Sequence, residues 1–373
     1  MIYDVLIIGG GASGLFLGAN LKGKRVLILE KNEKLGKKIL ISGGGKCNIT
    51  NEFVNKLNYN GDEILFDLLK SSEILDFFGA KNFIKIKNFQ YFCKNGSNFV
   101  LKTLIDKNKF TKINLNSEVI DVKKDKNLFC IFTKNEKFLA KNLVVASGGL
   151  SYPSLGVSDI AYKIALKFGL NLSVLKPALV GFTVQKDEFW FKNLSGVSTF
   201  VEILVDDRKI RGDMLFTHKG LSGPAILNAS LFWDKGKMML NFLPNFDFKT
   251  IKSSKKQIST NLPLPKRFIK EFLEICDIRD KVFCDLNSDE LCRLSRIFNY
   301  EFAPAGTFGY TKAEITKGGV SLRCLDENLQ SKDHLGLFFI GEALNFNGML
   351  GGYNLHFAFS SAIRVAKFLN FSI

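Results

Sequence analysis

The chain of 373 residues contains no apolar run near the ~20 residues that a bilayer-spanning helix needs, which argues against a membrane anchor. It also lacks a CxxC pair. Its seven cysteines, at 47, 93, 130, 276, 284, 292 and 324, are odd in number and scattered. That pattern argues against a disulfide framework and a zinc site, so no metal is expected and the compartment is read as a reducing cytoplasm. The opening "MIYDVLIIGGG" lacks the basic flank and apolar length of a secretory signal and runs straight into glycines. There is no internal repeat, low-complexity tract or Pro/Ser-rich linker. Arginine is scarce: nine of the 52 basic residues, the other 43 being lysine. With Phe, Asn and Ile abundant, this is the usage an AT-rich genome imposes, so the net charge of +16 has a bland reading beside a nucleic-acid one. One stretch stands apart. Residues 248–270, "FKTIKSSKKQISTNLPLPKRFIK", hold seven bases and no acid, which fits either a solvated surface or an anionic partner.

What is present is a pattern of short apolar strands punctuated by glycine. Residues 2–8 read as a buried parallel strand, 12–21 as a helix and "RVLILE", ending at Glu30, as a second strand. Apolar positions at helical spacing predict a helix over 61–79. The interval 112–146 alternates like a β-meander, "DIAYKIALKFG" reads as a helix and 180–245 as an antiparallel barrel. Helical spacing predominates over 265–300, strand character resumes over 310–325, and "LGLFFIGEA" is followed by a glycine loop and a C-terminal helix over 355–369. The length accommodates about two domains. The expected organisation is an α/β domain over 1–180 and 336–373, interrupted by an insert over 181–335 with a helical part at about 247–305.

The glycines carry the chemistry. Gly9, Gly11 and Gly14 have G-x-G-x-x-G spacing between a strand and a helix, and Glu30 ends the next strand. The first glycine permits the tight turn, the second lets a pyrophosphate reach the helix N-terminus, and the third lets helix and strand pack closely. Glu30 is placed to bond a ribose hydroxyl. The chain is read as binding a dinucleotide. Gly351 and Gly352, just before a helix near Asn354, offer a second set of free N–H groups. The triple glycine in "ISGGGKCNITN" (41–51) discards backbone entropy unless something approaches the main chain.

Over essentially its whole length the chain resembles the HI0933-like bacterial flavoproteins. The resemblance rests on "GKKILISGGGKCNITN" (36–51), "VVASGGLSYPSLGVSD" (144–159), "LKPALVGF" (175–182), "LFTHKGLSGPAIL" (215–227), "AEITKGGVSL" (313–322) and "GEALNFNGMLGGYNL" (341–355). It implies FAD as the tightly held cofactor and a Rossmann-like FAD domain interrupted by a β-barrel insert carrying a small helical subdomain. The chain departs from the family pattern at Asn345, usually Asp, at His356, usually Gln, at Ser361-Ala362, usually Ser-Gly, and at Lys46, usually Arg. The cofactor-binding set is read as Gly9, Gly11, Ala12, Ser13, Gly14, Glu30, Lys31, Gly43, Gly44, Val119, Gly148, Gly149, Gly341, Glu342, Gly351, Gly352, Tyr353, Asn354 and Leu355.

Three residues are catalytic candidates. Lys46 is placed near phosphate or substrate. Cys47 is either a packing residue or a proton donor, and the absence of a neighbouring cysteine disfavours dithiol chemistry. His218, in "FTHKGLSG", is a general acid or a loop histidine bonded to backbone. Tyr310 and Tyr353 are alternative donors; His334 is read as surface and His356 as packed near the cofactor. The function expected is an FAD-dependent oxidoreductase, an NAD(P)H-driven reductase of an activated C=C bond. A single dinucleotide fingerprint leaves NAD(P)H only a transient place over the flavin. Family members imply either a small-molecule enone or uridine in ribosomal RNA as substrate, with 248–270 as the RNA contact. An FAD-dependent oxidase of an amine or amino ketone and a non-catalytic FAD-bearing RNA-binding protein are the alternatives.

Overall fold

The computed structural model describes residues 1–86 and 89–371. The chain forms two compact units, one from Met1–Pro177 with Glu314–Ile373 and one from Ala178–Ala313.

The first unit is built on a sheet whose parallel strands run Lys112–Asn114, Val26–Leu29, Ile2–Ile8 and Lys137–Val145 in spatial order. Leu337–Phe339 pairs in parallel with the end of the Lys137–Val145 strand, while Leu128–Thr133 runs antiparallel to its start. These strands read as unbroken Val/Ile/Leu runs because both sheet faces are covered, and Val5, Leu6, Ile7, Leu27 and Ile28 are fully buried. Their C-terminal ends are level: Ile8 faces both Leu29 and Val145, Leu29 faces Asn114, and Val145 faces Phe339. The loops that leave these ends, at 9–11, 30–32, 115–117, 146–152 and 340–345, therefore open on one edge. That edge is where an open α/β sheet binds its ligand. The Ala12–Asn20 helix packs against the C-terminal helix, Tyr353–Phe371.

Two local expectations change. Only Ser71–Phe78 of the 61–79 stretch is helical. Tyr59–Gly61 instead pairs with Phe346–Gly348, and Asp62 accepts bonds from Ser321 Oγ (2.7 Å) and Leu322 N (2.8 Å). Ile64 and Phe66 still enter the core, but as single side chains of a loop, and Leu65 is exposed. Within 112–146, Lys112–Asn114 leaves the meander to extend the parallel sheet, and only 119–145 is antiparallel.

The second unit ends at Ala313 rather than near 335. Ile315–Val320 pairs with Leu172–Ala178, so residues 314–335 belong with the first unit. The second unit is an antiparallel half-barrel of seven strands, from Tyr300–Phe302 at one edge to Gly306–Thr307 at the other, with the long hairpin Ser198–Val205 and Arg208–Thr217 at its centre. The sheet is open, because its two edge strands pair with different neighbours. Its helical part includes Lys266–Ile275, which buries Phe268, Ile269, Phe272 and Leu273 and turns Lys266, Arg267 and Lys270 outward. Phe268 and Phe272 stack at 5.7 Å and join Trp190, Phe191, Phe242 and Tyr300 in one aromatic core.

Candidate cofactor site

The first glycine turn separates its three roles physically. A Cβ on Gly9 would lie 2.5 Å from Ala146 O, and one on Gly14 would lie 2.0 Å from Gly9 O. Both glycines are therefore demanded by the protein's own packing. Among the described residues, a Cβ on Gly11 would meet no atom within 4 Å, although Gly11 opens the Ala12–Asn20 helix. The space before that helix N-terminus is free, as an approaching pyrophosphate requires. Ser13, buried, follows in the first turn.

Glu30, only 8% exposed, is engaged by the protein itself. Its Oε2 accepts from Gly10 N at 2.8 Å, and Oε1 accepts from the Asn32 backbone and side-chain amides, both at 2.8 Å. These bonds fix the carboxylate at the sheet edge with lone pairs to spare for a ribose hydroxyl. Lys31 pairs with Glu118 at 2.9 Å, which Lys134 also reaches at 3.6 Å, holding the Glu118 carboxyl below the usual range. Val119, the next residue, is buried at the start of a strand whose register is broken between Val119 and Asp121.

Opposite this end lie the loops after Val145 and Phe339. Among the described residues, Ser147 Oγ is buried without a hydrogen-bond partner, and Gly148 (φ +75°) has open space where a Cβ would be. A buried orphan hydroxyl beside an unfilled glycine is what a site built around a polar group presents. A Cβ on Gly149 would strike Thr316 Oγ1 at 2.6 Å and Glu342 Oε1 at 2.7 Å. Gly341 approaches Ser13 in the same way, and its N–H donates to Ser361 Oγ at 3.0 Å. These features fit FAD. Glu30 would hold the adenosine side, the 9–14 turn the pyrophosphate, and the loops 148–152 and 341–345 the remainder, in the order in which their strands lie.

The triple glycine forms a bend, exposed at Gly43 and Gly44, with φ of +56°, +64° and +84° at Gly43, Gly44 and Gly45, and no atom of the described residues lies within 4 Å of a Cβ on Gly44. Lys46 is exposed beside it. Cys47 is fully buried with φ +51°, and burial pushes its thiol up to about 12. That environment is the packing one. Spacing alone hid its neighbour: Cys93 N donates to Cys47 O at 3.3 Å, so the fold brings two cysteines together that lie far apart in sequence. Both are free, and burial raises the Cys93 thiol also.

At the C-terminal loop Gly351 and Gly352 have φ of +130° and +92°, and a Cβ on Gly352 would press on Asn48 and on the Thr50 backbone at 2.7 Å. Asn354 braces the loop from within, its Nδ2 donating to Gly348 O and its Oδ1 accepting from Gly348 N, both at 2.8 Å. Tyr353 is buried, with its carbonyl accepting from Tyr59 OH at 3.0 Å, and Leu355 is partly buried against the core. His356 is fully buried, and its Nδ1 lies 2.7 Å from Thr50 Oγ1. Burial depresses its pKa to about 4, so the ring is neutral. His218 belongs to the second unit and is exposed on the tight turn between Thr217 and Gly220. His334 is half-buried rather than superficial, with Nε2 2.9 Å from Phe168 O.

Sequence reasoning missed Lys38. It lies in the short Lys37–Ile41 helix, and its Nζ is 2.5 Å from Glu342 Oε2, joining that helix to the loop after Phe339. The only local hint was a second lysine in "GKK" ahead of the triple glycine.

The chain is 35% identical to the "Ribosomal RNA dihydrouridine synthase" of Escherichia coli K12, over 98% of this chain and 97% of that protein. It is 29% identical to the "3-dehydro-bile acid delta(4,6)-reductase" of Clostridium scindens, over 95% and 96%. Among solved structures it is similar to a 3-ketosteroid-delta4-(5alpha)-dehydrogenase from Rhodococcus jostii RHA1, with a TM-score of 0.48, 11% identity and coverage of 99% and 97%. The family model described as "HI0933-like protein Rossmann domain" matches residues 3–368. The chain belongs to the HI0933-like family of FAD-dependent oxidoreductases.

Proposed function

We propose that the protein is an NAD(P)H-driven reductase of an activated C=C bond, and that its substrate is a uridine in ribosomal RNA. The observation that carries this reading is 35% identity, across nearly the full length of both chains, to a relative named for that activity. Reduced FAD would supply the hydride for the C5=C6 bond of uracil, which is an enone-like acceptor. The residues of this chain would hold the cofactor at the 9–14 turn and Glu30, admit NAD(P)H transiently, and exclude water. Of the three catalytic candidates, Lys46 and His218 keep the exposure a substrate contact needs. Cys47, with its thiol pushed up to about 12, fits packing.

The charge distribution supports an RNA partner. All seven bases of 248–270 (Lys249, Lys252, Lys255, Lys256, Lys266, Arg267 and Lys270) are exposed. Phosphate-neutralising side chains have to be free in this way. A cytoplasmic site of action accords with a ribosomal substrate. The deciding experiment is a nucleoside mass spectrum of ribosomal RNA from a strain lacking the protein. Loss of a dihydrouridine, restored by the wild-type gene, is the expected result; an unchanged dihydrouridine content would overturn the substrate. A second reading, reduction of a small enone, is favoured by the relative named as a bile-acid reductase. In that case NAD(P)H would be consumed with an enone and not with RNA.

A further inference from the structure

We infer that Lys38 and Glu342 are a positioning pair, an ion pair that locks the short Lys37–Ile41 helix to the loop after Phe339 and so shapes the flavin end of the cofactor cleft. The inference rests on FAD being the cofactor and is independent of the substrate.

The strand order assigns the end. Glu30 terminates the Val26–Leu29 strand and the pyrophosphate turn follows Ile8, so a dinucleotide running from one to the other continues toward the strands ending at Val145 and Phe339. Glu342 stands in the loop after Phe339, and Lys38 reaches it from a segment 304 residues away in sequence. The adenosine end has its own, separate charge cluster of Lys31, Glu118 and Lys134.

Most exposed ion pairs contribute little, because water screens them and two long side chains must be ordered. This pair differs in how it is embedded. The Lys38 and Glu342 side chains are 36% and 18% exposed. Glu342 uses both oxygens: Oε2 takes Lys38 Nζ at 2.5 Å, and Oε1 accepts from Thr316 N at 2.9 Å. Thr316 extends the network, its Oγ1 accepting from Leu150 N at 2.7 Å and lying 3.3 Å from Ser151 Oγ. Gly149 must lack a side chain for Thr316 and Glu342 to come so close. Four segments that are remote in sequence thus meet at one carboxylate, and charge-assisted bonds at such a junction are geometrically exacting. A consequence is visible one residue on. Ser151 is fully buried, and Tyr152 is held at φ +60°, a conformation that an aromatic residue adopts only when its surroundings impose it.

The test uses apoprotein titrated separately with FAD and with ADP, which carries only the adenosine and pyrophosphate groups. Lys38→Glu and Glu342→Lys should each weaken FAD binding by about tenfold or more, the size of a partly buried charge coupling. ADP affinity should stay within about twofold, since that half of the site is untouched. The charge-swapped double variant, Lys38→Glu with Glu342→Lys, should recover most of the lost FAD affinity. FAD affinity at the wild-type level in both single variants would overturn the inference. So would a parallel loss of ADP binding, or a double variant no better than the two single losses combined. If circular dichroism shows that a reversal has not folded, Lys38→Met and Glu342→Gln enter the same titrations, where a selective FAD loss supports the pair and its absence refutes it. The outcome does not depend on whether ribosomal RNA proves to be the substrate.

Discussion

At the residue scale, neighbouring glycines of one motif have different jobs, and substitution separates them. Gly14→Ala places a methyl group 2.0 Å from Gly9 O, so it should destabilise the fold by more than the 1–3 kcal/mol typical of overpacking. Gly11→Val meets no atom of the described residues within 4 Å at its Cβ and should leave apoprotein folding largely intact while abolishing FAD binding. Thermal melts of apoprotein combined with FAD titration check both outcomes; a Gly11→Val protein that retains FAD would show that the pyrophosphate lies elsewhere. His356 gives a pH signature. Its ring is neutral and buried, with a folded pKa of about 4 against an ordinary value near 6.5. A depressed pKa means that the unfolded chain takes up the proton first. The stability it contributes is therefore complete above about pH 6.5 and is lost as pH falls toward 4, by something on the order of 3 kcal/mol. His356→Gln, with the residue the family usually carries, should remove that slope from urea unfolding measured between pH 7 and pH 4. Cys47 behaves oppositely in sign. Its raised thiol pKa implies stability that is present below about pH 9 and lost as pH climbs toward 12.

At the element scale, the Lys266–Ile275 helix joins two unrelated demands. Its inner face supplies Phe268 and Phe272 to the aromatic core, and Phe272→Ala should cost about 3–5 kcal/mol in denaturant unfolding. Its outer bases are exposed and should be nearly neutral for stability. Replacing Lys255, Lys256, Lys266 and Arg267 with Gln tests the RNA reading alone. Binding of ribosomal RNA fragments should weaken and its salt dependence should flatten, by about 0.7–0.9 in log–log slope for each base that contacts phosphate. FAD content should not change. An unaltered affinity and slope would return this segment to the status of a solvated surface.

At the scale of the whole molecule, the positive charge is unevenly shared. The first unit holds 32 of the 52 Lys and Arg and 20 of the 36 Asp and Glu, so most of the +16 lies outside the basic segment. The quadruple variant, which leaves Lys249, Lys252 and Lys270 in place, should therefore keep most of its salt slope if RNA also meets the first unit, and lose about half of it or more if residues 248–270 are the sole contact.

The amino-acid sequence by itself determined the glycine turn between the first strand and the first helix, the buried parallel strands and the glycine loops, because each is a local statement: spacing, continuous apolar character, and a backbone that needs room. It also marked 248–270, since a run without acids needs no partner to be noticed. What only the tertiary structure decided were the relations between distant segments. The second unit closes at Ala313 because Ile315–Val320 pairs with Leu172–Ala178, a match the alternation over 310–325 could not locate. The helix expected over 61–79 shortened because Asp62 and Tyr59–Gly61 are bound by residues more than 200 positions away. Cys47 read as ambiguous because burial, which sets its thiol, is invisible in "GGGKCN". Lys38 was passed over because its partner, Glu342, lies 304 residues along the chain. Local spacing encodes backbone geometry, whereas desolvation and charge pairing exist only where folding brings remote side chains together.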